Sequence, residues 1–422
     1  MLPGSMPLNS SERRITLRYA ILFLEKSEVR FLGDSVQQRI IYMDHAATSW
    51  PKPDQVVEAM HSAMLMYGAN PGRGSHAMAV QASRVIFQTR RNLAKLFGIR
   101  NPNDIAFTMN TTMALNMAIQ GLLSSGDHVI ATSIEHNSVR RPLEYLRRTM
   151  GVEVTYVETD AAGNLDLEQF KASFRPHTKL VVCSHSSNLL GTILPIEEIG
   201  QYTRSQGAFL LVDAAQSAGI LPIDVERMGI DLLAFPGHKG LLGPQGTGGL
   251  YIAPHVDLEP LMRGGTGSRS EDMEQPLVRP DRYEAGTPNT IGIAGLNEGV
   301  KLILNETVEK IHTKEWSLTK LLMEGLATLE GVQLLGPPKD QPRTGIVSFI
   351  VDGMDASQLA FRLDREYGIA VRSGMHCTPL AHASAGTLDR GAVRASVGYT
   401  TTEDDIYAVI AAVRQMIEDF AR

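Results

Sequence analysis

From Asn103 to Ile252 the chain alternates short apolar runs with amphipathic stretches, and this alternation restricts the fold more than any other feature. Ile105–Thr108, Asp127–Thr132, Val152–Val157, Leu180–Ser184, Ala208–Asp213, Leu232–Phe235 and Gly248–Ile252 read as strands. Thr111–Leu123, Asn137–Arg148 and Ile196–Arg204 read as helices; in the first, Ala114, Ala118 and Leu122 share one face. Strands that alternate with helices imply right-handed crossovers and a mainly parallel sheet flanked by helices. The fold class is therefore α/β, with a seven-stranded sheet. Ligands of such sheets gather beyond the carboxyl ends of the strands. Thr112, His136, Asn188, Asp213 and Lys239 all fall at or just past such ends, which points to one shared site.

After about residue 295 the character changes. Leu296–Asn305, Glu315–Leu329, Asp355–Arg365 and Glu403–Ala421 read as helices; Val332–Leu335, Gly345–Val351 and Gly391–Val397 read as strands. This is a smaller α+β domain. The expected organisation is an N-terminal extension at 1–40, a segment at 41–60 packing with the small domain, a large domain at 61–295 and a small domain at 296–422. The extension begins MLPGSMPLNSSERR and reads as a disordered or docking segment; it lacks the order of charge, apolar core and cleavage site of a signal peptide.

The function classes that bulk properties can exclude are few but useful. Net charge is −6 over 422 residues, and no clustered basic face argues for a nucleic-acid partner. No apolar run reaches the roughly 18–20 residues of a membrane span. The two cysteines, Cys183 and Cys377, are far apart and make no metal-ligand cluster. No metal is expected, and a reducing, cytoplasmic setting is the expectation.

The chemistry centres on PGHKGLLGPQGTGG, residues 236–249. Lys239 follows an apolar strand and precedes a glycine-rich turn, where loss of water would lower its pKa and make it a nucleophile for a carbonyl. The glycines are expected to let the backbone turn sharply behind it. Asp213 ends the apolar run of LLVDAAQSAG; it is either a cap or a buried carboxylate opposite a positive charge. A lysine for a Schiff base and an acid for a ring nitrogen are the pair that pyridoxal 5′-phosphate (PLP) requires. Thr111 and Thr112 open a helix, as a simple start or as an anion site. His136 and Asn188 are ordinary loop residues or contacts to a cofactor ring. Cys377, in VRSGMHCTPLAH, is either a small buried hydrophobe or a thiolate favoured by Arg372, His376 and His382; Cys183 reads as structural.

Taken in order, DHAATSWPKP (44–53), NPGRGSH (70–76), NTTMALN (110–116), IEHNS (134–138), SNLLGT (187–192), VDAAQ (212–216), GHKGLLGPQGTGG (237–249), YEAGTPNT (283–290), RSGMHC (372–377) and VRASVGY (393–399) resemble the class V aminotransferase family of fold type I PLP enzymes. Within it the chain is most similar to cysteine desulfurases and selenocysteine lyases. The resemblance runs from about residue 41 to the end. It implies that Lys239 holds the cofactor covalently, Asp213 pairs with its ring nitrogen, Asn188 and Gln216 bond its ring oxygen, His136 stacks on its face and also serves catalysis, and Thr111, Thr112 and His238 bind its phosphate. Thr287 would reach the phosphate of a partner subunit's cofactor, which implies a homodimer. Arg394, with Asn188, Arg372 and Ala46, would take the substrate carboxylate. Cys377 would be the nucleophile that carries a persulfide and hands sulfur to an acceptor protein, for iron–sulfur clusters or another thiolation pathway. Pro236 stands where the family pattern often has serine or threonine, so one phosphate contact is expected to be missing. A selenocysteine lyase, another PLP β-lyase or aminotransferase, and a non-catalytic interaction protein on the same fold are the alternatives.

Overall fold

The computed structural model describes residues 39–72 and 74–420. The expected N-terminal extension lies outside the described residues except for its last two. In chain order the elements are β1 (Ile41–Tyr42), α1 (Asp54–Met66), α2 (Ala77–Leu96), β2 (Ile105–Thr108), α3 (Thr111–Leu122), β3 (His128–Thr132), α4 (Asn137–Met150), β4 (Glu153–Val157), α5 (Leu167–Ala172), β5 (Thr178–Ser184), α6 (Ile196–Ser205), β6 (Phe209–Asp213), β7 (Leu232–Pro236) and β8 (Gly248–Ile252). They continue with α7 (Thr290–Glu306), α8 (Val308–Ala327), β9 (Val332–Leu334), β10 (Ile346–Val351), α9 (Ala356–Tyr367), β11 (Ile369–Ala370), β12 (Arg372–Gly374), α10 (Pro379–Ser384), β13 (Ala392–Ser396) and α11 (Glu403–Phe420).

The seven-stranded sheet has the order β2-β8-β7-β6-β5-β3-β4. Strands β7, β6, β5, β3 and β4 are parallel neighbours, and β8 runs antiparallel to both β2 and β7. Its strands carry near-continuous apolar runs because helices cover both faces; Leu210, Leu211 and Val212 of β6 have no exposed surface. Helix α4 shows the matching amphipathic pattern, with Val139, Leu143 and Leu146 buried at helical spacing. The register sets Ser184 of β5 beside Asp213 of β6, and Asp213 beside Ala234 of β7. Three strand ends therefore meet where Asp213 and Lys239 sit.

The remaining strands form a four-stranded antiparallel sheet, β12-β13-β10-β9, and a parallel pair, β1-β11. A second apolar cluster forms here from Leu318, Leu322, Phe349, Leu359, Val393 and Val409, and Met43 joins it from the N-terminal side.

Two helices start earlier than their periodicity predicts. Helix α7 begins at Thr290 rather than Leu296, although Gly292 and Gly295 weaken its first turns. Asn289 caps it, accepting from the Gly292 N–H at 3.0 Å. The glycines permit close packing: a Cβ on Gly295 would lie 2.7 Å from Met60 Cγ, and one on Gly299 2.3 Å from the Leu241 carbonyl oxygen. Helix α8 begins at Val308 rather than Glu315 and is capped by Thr307. Helices α1, α2, α5 and α10 were not expected. α1 and α2 pack against α7; α2 carries a local signal that the sequence reading passed over, with Ala79, Ala82, Ile86 and Leu93 buried at helical spacing.

Candidate active site

Lys239 follows β7 on a turn anchored by backbone bonds from Gly237 N–H to Thr247 O (2.8 Å) and from Leu242 N–H to Lys239 O (2.9 Å). The glycines of this run act mainly by close approach. A Cβ on Gly240 would meet the Ala218 carbonyl oxygen at 2.5 Å, so the lysine turn lies directly on the turn that follows Asp213. Gly246 is the glycine of the run with a left-handed backbone, at φ 75°. Sharp turning, the expected role, thus falls to one glycine of the run, and Leu242, at φ 60°, makes the other left-handed turn without one.

Burial lowers the Lys239 ammonium to about 8, and the nearby Arg394 guanidinium acts in the same direction, while the Asp213 carboxylate opposes both. Asp213 is raised to about 6 by burial, held back by the Ala215 N–H that donates to Oδ1 at 2.8 Å and by Lys239. The pair is a nucleophilic amine and a buried acid that gains by facing a cation. Beneath them lies Glu135, fully buried, with carboxylate oxygens accepting from Thr132 Oγ1 (2.6 Å), Ser184 N–H (2.9 Å) and Ser184 Oγ (2.9 Å). Burial raises it to about 7, despite these bonds, and repulsion from Asp213 adds to the rise.

Lys239 and Asp213 line a pocket of about 530 Å³ together with Thr111, Thr112, His136, Asn188, Gln216 and His238. All eight are residues singled out from the sequence. His136 caps α4, its Nδ1 accepting from the Ser138 N–H at 3.0 Å. Burial, followed by the charge of Lys239, lowers it to about 4, so it presents a neutral aromatic face. Thr112 Oγ1 lies 2.8 Å from Ser138 Oγ. The Thr111 hydroxyl and His238 Nδ1 are buried and have no partner. Beside them Asn110, Thr111 and Thr112 at the start of α3 line the pocket, and the first turn of a helix is suited to an anion. Pro236 brings no donor to this end of β7. A phosphate at these donors, a cationic ring nitrogen at Asp213 and an aldehyde at Lys239 are the features of PLP, and the residues present fit that group.

The amides expected at a ring oxygen are engaged elsewhere. Asn188 Nδ2 donates to the His376 carbonyl at 2.6 Å, and Gln216 Nε2 donates to the Ala46 carbonyl at 3.1 Å. Arg394, on β13, has a side chain 2% exposed. Its Nη1 donates to the Asn188 carbonyl (2.8 Å) and its Nη2 to Asp44 Oδ1 (3.0 Å), while Nε has no partner. That free N–H suits a carboxylate. Arg372 of β12 is the register partner of Arg394. Ala46 is buried, and its N–H donates to Ser396 Oγ at 2.9 Å. Cys377 is half-buried, and its carbonyl accepts from the Asn137 N–H, next to His136, at 2.8 Å. The histidines expected to favour its thiolate do not supply charge. His376 is buried, bonds the Ala392 carbonyl through Nε2 (3.1 Å) and stacks on His382; burial pushes it to about 3 and lowers His382 as well. Positive charge near the thiol comes from the arginines instead, Arg394 being within reach of Cys377 electrostatically. Cys183 is fully buried, and burial pushes its thiol up.

Thr287 does not join this pocket. It is exposed and lines a different one with Met109, Gly246 and Asn289. Sequence reasoning missed Asp44, Glu135 and Ser138. Asp44 pairs with a residue 350 positions away, a contact that no spacing rule reveals. Ser138 had a signal, since it sits two residues past His136 at a helix start. Among the described residues no group of three or more His, Cys, Asp or Glu could hold a metal ion, and no helix is long and apolar enough to cross a membrane.

The aminotransferase class-V family model matches residues 41–409. A probable cysteine desulfurase from Methanothermobacter thermautotrophicus is 38% identical over 373 residues, which is 87% of this chain and 92% of the relative. One from Pyrococcus abyssi is 37% identical, covering 90% of this chain and 95% of its own length. Among solved structures, the apo cysteine desulfurase from Thermococcus onnurineus superposes with a TM-score of 0.85 at 35% identity, covering 93% of this chain and 99% of that one. A cysteine desulfurase from Escherichia coli, in an S-sulfonic acid form, superposes with a TM-score of 0.81 at 28% identity, covering 90% and 95%. The alternating strands, the lysine on its turn, and relatives that share nearly the full length all agree: the chain belongs to the class-V aminotransferase family.

Proposed function

We propose that the chain is a PLP-dependent cysteine desulfurase that converts L-cysteine to L-alanine, with Cys377 receiving the sulfur. The observation that carries the reading is the convergence of Lys239, Asp213, His136 and Thr112 on one pocket, with Arg394 hydrogen-bonded to Asn188 of its wall and the Cys377 carbonyl bonded to the N–H of Asn137, between the wall residues His136 and Ser138. Thr111, Thr112 and His238 would hold the phosphate, Asp213 the ring nitrogen, His136 the ring face and Lys239 the aldehyde carbon. When bound, PLP supplies an electron sink for bonds at the α-carbon of an amino acid.

The chain's own residues supply the rest. Arg394 fixes the substrate carboxylate, helped by Arg372 and the backbone around Ala46. Lys239, held near 8, is poised to accept and return a proton near neutral pH. Cys377 attacks the substrate sulfur as a thiolate. The sulfur–carbon bond breaks with its electron pair left on carbon, a sulfur–sulfur bond forms, and a proton on carbon completes alanine. The persulfide on Cys377 then passes its sulfur to a thiol, and a reducing thiol releases it as sulfide.

A homodimer is part of this reading. Met64, Leu65 and Met66 at the end of α1, Phe87 on α2 and Met109 beside the Thr287 pocket are all exposed. Exposed apolar side chains of this size suit an interaction surface, and a second copy seated there would bring Thr287 toward the partner's phosphate. A reducing, cytoplasmic setting and a protein acceptor for the sulfur belong to the same proposal.

The test is alanine and sulfide release from L-cysteine, with dithiothreitol, by the wild type and by Cys377→Ala. The proposal expects both products from the wild type and neither from a variant that still holds its cofactor. A variant that keeps most of the rate rejects the persulfide route and favours a lyase acting on selenocysteine or another β-substituted amino acid. Leu65→Glu, read by light scattering, tests the dimer: an unchanged mass removes α1 from the interface.

A further inference from the structure

Cys377 sits in an unusual turn. The turn spans Met375–Thr378 and is closed by Thr378 N–H donating to the Met375 carbonyl at 3.0 Å. Both central residues are left-handed, His376 at φ 47° and Cys377 at φ 60°. This is the geometry of a mirror-image turn, normally built from glycine or asparagine. Neither residue is one, so surrounding bonds have to maintain the conformation. Three sets do so. Asn137 N–H donates to the Cys377 carbonyl (2.8 Å), and Thr378 Oγ1 lies 3.3 Å from the Ile134 carbonyl and 3.2 Å from that of Glu135. The third is Asn188 Nδ2 on the His376 carbonyl, at 2.6 Å.

Asn188 thus donates from its side chain to the carbonyl of a central residue of this turn. Its own backbone carbonyl accepts from Arg394 Nη1 at 2.8 Å, and Arg394 Nη2 reaches Asp44 at 3.0 Å. We infer that Asn188 is a positioning residue: its amide holds the Cys377 turn in its left-handed form and links it to the Arg394 guanidinium. The functional meaning rests on the cysteine desulfurase reading above. The thiol is then correctly placed only while the residue bonded to the carboxylate-binding arginine is itself in place.

The experiment is the rate of iodoacetamide alkylation of Cys377 in the holoenzyme, followed by peptide mass spectrometry. Wild type is compared with Asn188→Asp, which removes the donor at constant shape, and with Asn188→Ala. Buried Cys183 reports on unfolding. Losing one hydrogen bond to a strained turn should raise the alkylation rate roughly five-fold. In variants loaded with cofactor to the same extent as the wild type, kcat for alanine falls more than KM rises. Alkylation unchanged in both variants overturns the inference, whatever happens to KM. Should neither variant fold, a crystal structure of the wild-type holoenzyme decides: Asn188 Nδ2 on the His376 carbonyl supports the tether, and Nδ2 turned elsewhere overturns it. A wild type that releases no alanine from L-cysteine would sink the desulfurase reading, while the alkylation rates would still judge the tether.

Discussion

Asp44 occupies the Arg394 guanidinium, to which the proposed function assigns the substrate carboxylate, and this makes a prediction with an unusual sign. In the structure Asp44 Oδ1 lies 3.0 Å from Arg394 Nη2; the arginine side chain is 2% exposed and the aspartate 22%. Two charges about 4 Å apart at an effective dielectric of about 20 attract by about 4 kcal/mol. The partial exposure of Asp44 weakens this, and an asparagine in its place would keep a hydrogen-bond acceptor. Asp44→Asn should therefore remove about 1–2 kcal/mol of the field that Asp44 sets at Arg394. The same carboxylate repels an incoming one. An anionic ligand at Arg394 should bind the variant roughly ten-fold more tightly, since 1.4 kcal/mol is a factor of ten. The assay is competitive inhibition of L-cysteine turnover by propionate, which has a carboxylate and no amine, at matched ionic strength. A lower inhibition constant in a folded Asp44→Asn variant supports the reasoning. An unchanged or higher constant refutes it, because Asp44 would then be orienting the guanidinium rather than competing for it.

Three more outcomes follow from the structure. Borohydride treatment of the cofactor-loaded wild type should leave a covalent pyridoxyl adduct on Lys239, detected by mass, and Lys239→Ala should lose both adduct and activity. Glu315 is 2% exposed, and burial raises its carboxyl to about 8. A carboxyl raised on folding binds its proton more tightly in the folded chain, so its contribution is full below about pH 4.5 and lost as pH rises toward 8. Glu315→Gln should match the wild type in thermal midpoint below about pH 4.5 and exceed it near pH 8; equal midpoints at both values would contradict the assignment. A Cβ on Gly299 would lie 2.3 Å from the Leu241 carbonyl, two residues beyond Lys239. Gly299→Ala should cost about 1–3 kcal/mol through overpacking, outweighing the ~1 kcal/mol gained in helix propensity, with cofactor retention falling alongside the thermal midpoint.

The readings that local sequence supports are those in which one element carries its own signal. The strand ends that bear Asp213 and Lys239 are legible because buried parallel strands are written as apolar runs, and because topology puts ligands beyond them. Seven strands and the order of the motifs follow from the same pattern. What stayed hidden depends on partners distant in the chain. Helix α1 buries only Val56 and Ala63 and is recognisable only once α7 provides its surface, whereas α2 has helical spacing of its own; α7 starts six residues early because Gly292 and Gly295 serve packing rather than propensity. The site divides in the same way. Residue type and position pointed to Lys239, Asp213, His136 and the threonines of α3, whose roles depend on nearby backbone geometry. Asn188, Arg394 and Cys377 were picked out as well, but not the relation between them. That relation is a chain of contacts from Asp44 through Arg394 and Asn188 to the His376 carbonyl, joining residues from the first strand region, the large domain and the cysteine loop. A single sequence names such residues one at a time, and the coupling among them exists only in three dimensions. In the proposed reaction a thiol must meet a substrate fixed by its carboxylate, and the inferred role of that coupling is to set where the thiol stands.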